Sequence, residues 1–185
     1  MEYGCILGNE TVVFIKAGLG GNYLGDENKY LSIARMLNRC FGCTVISVSN
    51  PNNKYFDAMA DRTILDGVVR AYGLEEPEFY FFGNSNGCNK GLALAATGVY
   101  FRRMILVNMP LTINFHKTKS LLSQIPDTDV IAVYGEKDIS SPFAVFLERK
   151  HARTQIVKIP NADHTFTGKT EEFISLAEML IRREW

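Results

Sequence analysis

The sequence predicts a doubly wound α/β fold: a mostly parallel sheet of about six to seven strands, with helices on both faces. Three observations carry this. Short apolar, β-branched or aromatic runs alternate with longer amphipathic stretches along the whole chain. The runs are continuously apolar, which suits strands buried on both faces. The length of 185 residues, with 46% hydrophobic and 22% charged content, fits one compact domain spanning residues 1–185.

Taken in order, Met1–Glu10 has room for one short strand rather than a hairpin. Thr11–Ala17 (TVVFIKA) and Cys43–Val48 (CTVISV) read as the first strong strands, followed by Glu78–Phe82, Met104–Asn108, Val130–Tyr134 and Gln155–Ile159. Between them, Tyr30–Phe41 sets Leu31, Ala34, Leu37 and Phe41 along one helical face. Met59–Tyr72 does the same with Ile64, Val68 and Tyr72, and Gly73 is its stop. Asn89–Thr97, Phe143–Lys150 and Glu171–Arg182 complete the helices. Only Met109–Asp129 separates two successive strands in the second half, enough for one helix at about His116–Ser123 and no inserted lid.

Composition excludes several classes. Twenty Lys/Arg balance twenty Asp/Glu without a basic or acidic block, so the electrostatic footprint of a nucleic-acid or membrane-surface binder is missing. No apolar run approaches the ~20 residues that span a bilayer. MEYGCILGNE lacks the charged and apolar regions of a signal peptide, so the expected location is cytoplasmic. Four cysteines, Cys5, Cys40, Cys43 and Cys88, fit a reducing compartment. Cys40 and Cys43 form a lone C-x-x-C at a helix-to-strand junction, and no second pair or histidine cluster completes a zinc site. They read as structural thiols.

The first strong strand runs into Gly18-Leu19-Gly20-Gly21-Asn22. A dinucleotide loop is one reading, but Tyr23 stands where a third glycine belongs, and Ser47–Pro51 offers no acid for a ribose. A second is an oxyanion loop, whose amides face a developing negative charge. A third is a tight turn that needs glycine for its backbone angles. The loop alone does not choose among them.

Gly83-Asn84-Ser85-Asn86-Gly87 matches G-x-S-x-G, between an apolar strand and the Ala/Leu-rich segment GLALAA. That is the strand–turn–helix context in which the motif is a nucleophile elbow. Ser85 would project above the sheet at a helix N-terminus that favours negative charge. The structural alternative is a serine that merely caps the helix.

A serine nucleophile needs a base, and the base an orienting acid. Of three histidines, His116 and His151 sit in polar or charged stretches and read as solvated. His164 follows the last strand in Asn161-Ala162-Asp163-His164-Thr165-Phe166, on the same sheet edge as Ser85. The acid belongs after Val130–Tyr134, in Gly135-Glu136-Lys137-Asp138. Asp138 is the first choice and Glu136 the second, while Asp163, adjacent to the histidine, reads as a loop brace.

With these residues in order, the chain resembles the α/β-hydrolase superfamily over nearly its whole length, from Thr11 onward. Ala17–Gly21 looks like the His-Gly-x-Gly-Gly oxyanion loop, with Ala17 in place of the histidine. Gly83–Gly87 matches the elbow, with Asn84 and Asn86 flanking the serine where other residues are more usual. Gly135–Asp138 with Pro142 is similar to the acid loop, and Ala162–Phe166 to the histidine loop.

The resemblance implies a small, capless serine hydrolase acting through Ser85, His164 and Asp138. The amides of Leu19 and Asn86 would form its oxyanion hole, and no metal or cofactor would be needed. Esters or thioesters of small acyl groups are the expected small-molecule substrates; an amidase or acyltransferase would use the same residues. Loop position alone nominates Asn22, Tyr23, Met109 and Phe166 as substrate contacts. The rivals are a non-catalytic α/β-hydrolase-like binding protein and a nucleotide-binding Rossmann-type protein.

Overall fold

Continuous apolar runs fold as strands because both of their faces are covered. The computed structural model describes residues 1–52, 54, 56–113 and 115–182. Its strands are β1 (Tyr3–Ile6), β2 (Asn9–Lys16), β3 (Cys43–Val48), β4 (Glu78–Asn84), β5 (Phe101–Val107), β6 (Asp129–Gly135) and β7 (Thr154–Ile159). Its helices are α1 (Lys29–Phe41), α2 (Met59–Ala71), α3 (Asn86–Ala95), α4 (Phe115–Leu122), α5 (Val145–Glu148) and α6 (Thr170–Ser175). The strands form one seven-stranded sheet in the order β1-β3-β2-β4-β5-β6-β7. All neighbours are parallel except β1, which pairs antiparallel with β3 through Tyr3↔Val48 to Ile6↔Val45.

Alternation along β2 explains its composition. Val12 and Phe14 enter one core layer with Leu65 and Val68 of α2, Leu92 of α3 and Leu122 of α4. Val13 and Ile15 enter the other, with Ile33 and Leu37 of α1 and Phe173 of α6. Each fully buried side chain of this size stabilises the fold by roughly 1.5–3 kcal/mol relative to exposure. Lys16 ends the strand fully buried. Its Nζ bonds Asp61 Oδ1 of α2 at 2.6 Å and the Ser49 carbonyl at 2.8 Å.

Chain order reverses between β2 and β4. β3 lies on one side of β2, and the chain then crosses back to add β4 on the other. The loops leaving the C-terminal ends of β2 and β4 therefore diverge to opposite faces and open a crevice, the usual ligand position in such sheets.

Several helices depart from expectation. α3 starts at Asn86, directly behind Ser85, rather than at Asn89. The buried face of α2 is Asp61, Leu65 and Val68, while Tyr72 is exposed; Gly73, at φ 62°, ends the helix in the left-handed region. The expected Phe143–Lys150 helix is only α5, preceded by a 3₁₀ turn at Ser141–Phe143 with Pro142 in its first turn. The last helix tightens from α6 into a 3₁₀ turn at Leu176–Leu180. There the Arg103 guanidinium takes the carbonyls of Met179 and Arg182, which a longer α-helix would also have left unpaired at its end.

Candidate active site

The elbow is built by close packing. A Cβ on Gly83 would lie 3.0 Å from Cα of Cys88, and one on Gly87 would lie 2.4 Å from the Lys16 carbonyl oxygen. Strand, turn and helix approach this closely only without those side chains. Ser85 takes φ 51° and ψ −123°, a conformation that costs a non-glycine residue of order 1–3 kcal/mol. It is held by Ser85 N–H to the Val107 carbonyl (2.8 Å) and Cys88 N–H to the Ser85 carbonyl (3.0 Å). The Ser85 side chain makes no cap hydrogen bond to α3, so the helix-cap reading is not the one adopted. Its Oγ lies 3.0 Å from His164 Nε2.

His164 Nδ1 hydrogen-bonds Asp138 Oδ2 on the other side of the ring. Asp138 is buried, and its Oδ1 accepts the Ser140 amide at 2.7 Å, so both carboxylate oxygens are engaged. The hydrogen bond to Asp138 raises the histidine pKa above its ordinary value, partly opposed by burial. Glu136 turns elsewhere: its Oε2 accepts the Asn161 amide at 3.0 Å, bracing the start of the histidine loop. Asp163 is likewise a loop brace, accepting the amides of Thr165 (3.0 Å) and Thr167 (2.9 Å). These bonds, led by the one from the Thr167 amide, hold its pKa down at about 2.

On the other side of the crevice, a Cβ on Gly18 would lie 3.4 Å from Ser85 Cβ, so the glycine loop sits against the elbow. The Gly20 amide donates to the Asn50 carbonyl and the Gly21 amide to the Gly18 carbonyl. Both of those loop amides are therefore engaged, and that of Leu19 is not among them. Asn86 is the first residue of α3, where an amide has no intrahelical acceptor. Among the described residues, no group of three or more His, Cys, Asp or Glu side chains could hold a metal ion.

Of the residues nominated as substrate contacts, Met109 and Phe166 are buried in the core, while Tyr23 and Asn22 make contacts near their own loop. Met109 and Phe166 are 0% and 2% exposed: Met109 belongs to the core layer of α3 and α4, and Phe166 packs edge-on against Phe173. Tyr23 lies over Gly4 at the β1 edge, and Asn22 Oδ1 accepts its own turn's Leu24 and Gly25 amides. Loop position misdirects here because loop residues that follow strands often turn their side chains back into the core. His151, expected in solvent, is buried, with Nδ1 2.9 Å from Thr154 Oγ1 and Nε2 3.0 Å from the Ile125 carbonyl. His116 is exposed. Cys43 is buried, and burial raises its thiol to about 11, far from a reactive thiolate.

Sequence reasoning overlooked the asparagines. Asn108, fully buried at the end of β5 with φ 48°, accepts the Gly135 amide through Oδ1 (2.9 Å). Its Nδ2 donates to the carbonyls of Asp163 (3.2 Å) and His164 (2.9 Å), tying acid loop and histidine loop together. Its signal was an asparagine, rather than another aliphatic residue, closing an apolar strand at the sheet's functional edge. Asn50 sits similarly after β3. It bonds both the glycine loop and Asn86.

Sheet order, strand directions and an elbow after β4 together make this the α/β-hydrolase fold. No family model matches the sequence, and no curated protein matches it. Solved structures do. Est1E from Butyrivibrio proteoclasticus, with ferulic acid bound, is similar with a TM-score of 0.73 at 14% identity, covering 96% of this chain and 92% of its own. An α/β serine hydrolase without a lid from Xanthomonas campestris gives 0.67 at 19% identity, covering 98% and 88%. FphF, a fluorophosphonate-binding serine hydrolase of Staphylococcus aureus with substrate bound, gives 0.68 at 14% identity, covering 96% and 85%. In each case the likeness extends over nearly the whole chain.

Proposed function

We propose that this chain is a serine hydrolase that cleaves an ester or thioester of a small acyl group through an acyl-enzyme intermediate. The observation that carries the reading is the hydrogen-bonded series Ser85 Oγ–His164 Nε2, His164 Nδ1–Asp138 Oδ2, assembled from three loops on one sheet edge. At 3.0 Å, His164 Nε2 is within general-base reach of the hydroxyl proton. Because Nδ1–H donates to Asp138, Nε2 keeps its lone pair for that proton.

As Ser85 Oγ attacks the carbonyl carbon, its proton passes to His164, and charge collects on the carbonyl oxygen. The Leu19 and Asn86 amides stabilise that oxyanion; losing one such donor typically costs ~10²–10³ in rate. The imidazolium, stabilised by Asp138, then protonates the leaving alcohol or thiol. Water repeats the sequence on the acyl-enzyme and releases the acid. The descriptions of the lidless and fluorophosphonate-binding neighbours as serine hydrolases support this class. Four free cysteines support a cytoplasmic setting.

Reaction with a fluorophosphonate probe tests the reading. Wild type is expected to be labelled at one site and Ser85→Ala to be unlabelled. An unlabelled wild type, or equal labelling of Ser85→Ala, overturns it.

A further inference from the structure

The Ala17 side chain, at the start of the glycine loop, is a methyl group that can hold the loop by no hydrogen bond. Asn50 holds it from outside. Its backbone carbonyl accepts the Gly20 amide (2.8 Å), and its own amide donates to the Gly21 carbonyl (2.8 Å). Its side-chain Nδ2 donates to the Ala17 carbonyl (3.1 Å) and, on the elbow side, to Asn86 Oδ1 (2.8 Å). One residue thus contacts the loop carrying the Leu19 amide at three points and the residue carrying the Asn86 amide at a fourth. Asn50 and Asn86 are 0% and 2% exposed, so water does not compete for these bonds. In a low-dielectric setting each of these bonds is electrostatically stronger than it would be in water.

We infer that Asn50 is a positioning residue that fixes the spacing between the two oxyanion-hole amides by coupling the glycine loop to the elbow through Asn86. The inference rests on the serine-hydrolase reading. Oxyanion donors act when held at 2.7–3.1 Å from where the charged oxygen will be, so a loop free to drift loses rate without losing substrate.

Asn50→Leu keeps the branched outline of the side chain and the two backbone bonds but removes both side-chain bonds. With p-nitrophenyl acetate as the probe and rates normalised to active-site titre, kcat is expected to fall about tenfold to a hundredfold, less than the ~10²–10³ of losing a donor outright. KM should stay within about twofold, and the inhibition constant of phenylboronic acid, which forms a tetrahedral serine adduct, should rise in parallel with the loss in kcat. The acid limb of kcat/KM should not move, because His164 and Asp138 are untouched. Asn86→Ala, which keeps its backbone amide, should lose kcat in the same way, and the double variant should lose little more than Asn50→Leu. If Asn50→Leu fails to fold, Asn86→Ala alone decides the matter by the same readouts. Unchanged titre-normalised kcat, or a change confined to KM or thermal midpoint, overturns the inference while leaving Ser85 labelling intact. A wild type that is not labelled at Ser85 overturns the reading beneath it.

Discussion

The His164 side chain is about half exposed (49%), yet its hydrogen bond to Asp138 holds its pKa above the ordinary histidine value of 6.5. A base works only when deprotonated, so the acid limb of kcat/KM should lie above 6.5. The same shift acts on stability with the opposite sense: it favours the fold fully below the unfolded pKa and fades as pH rises through the folded one. Asp138→Asn removes the acceptor charge. It should lower kcat by on the order of 10³–10⁴ and bring any residual limb back toward 6.5. Glu136→Gln should keep near-normal rates, because a glutamine oxygen still accepts the Asn161 amide. A pH–rate profile of both variants checks this, and the reverse pattern would move the acid to Glu136. At this scale much is legible: motif and strand position single out Ser85, His164 and Asp138, whose side chains are joined by hydrogen bonds in the fold. Asn50 and Asn108 are not singled out, since nothing local distinguishes a buried bracing asparagine from an ordinary loop residue.

Glycine at the elbow and glycine elsewhere have opposite expectations. A Cβ on Gly87 of α3 meets the Lys16 and Ala17 carbonyl oxygens at 2.4 and 2.6 Å, both backbone atoms at the end of β2. Gly87→Ala should therefore push helix and strand apart, lowering stability by about 1–3 kcal/mol and displacing the Asn86 amide beside it, with a loss of kcat. Gly67 lies inside α2 with nothing within 4 Å of an added Cβ. Gly67→Ala should raise stability by about 0.5–1 kcal/mol through helix propensity and leave activity unchanged. Denaturant titration with a parallel esterase assay reads both. Strand and helix existence followed from periodicity. Helix ends did not: α6 gives way to a 3₁₀ turn where Arg103, from a distant strand, takes its terminal carbonyls. α5 is short where a helix-like pattern promised more.

Over the whole molecule, the site is open. Among the described residues only α4 lies between β5 and β6, Leu19 of the glycine loop is 50% exposed, and Ile139, next to Asp138, is 76% exposed. A pocket that encloses an acyl chain gains ~1–3 kcal/mol per methylene, and an open crevice does not. Activity on p-nitrophenyl esters should therefore be greatest for acetate to butyrate, with no gain in kcat/KM on lengthening the acyl chain. A steady rise through octanoate and longer would point to an enclosing channel instead.

The sequence by itself determined the layered α/β architecture, because buried strands and amphipathic helices write their periods into composition. It determined the elbow too, because close approach at Gly83 and Gly87 tolerates no side chain. Only the tertiary structure decided which loop residues face the crevice. Met109 and Phe166 go to the core, His151 to a buried place between the Thr154 hydroxyl and the Ile125 carbonyl, and Asn50 and Asn108 to the joints between loops. The physical reason is that a side chain's partners on the sheet edge come from segments distant in the chain, joined here across 36 residues for Asn50 and Asn86 and 79 for Ser85 and His164. No local pattern carries that information, and it exists only once the strands are side by side.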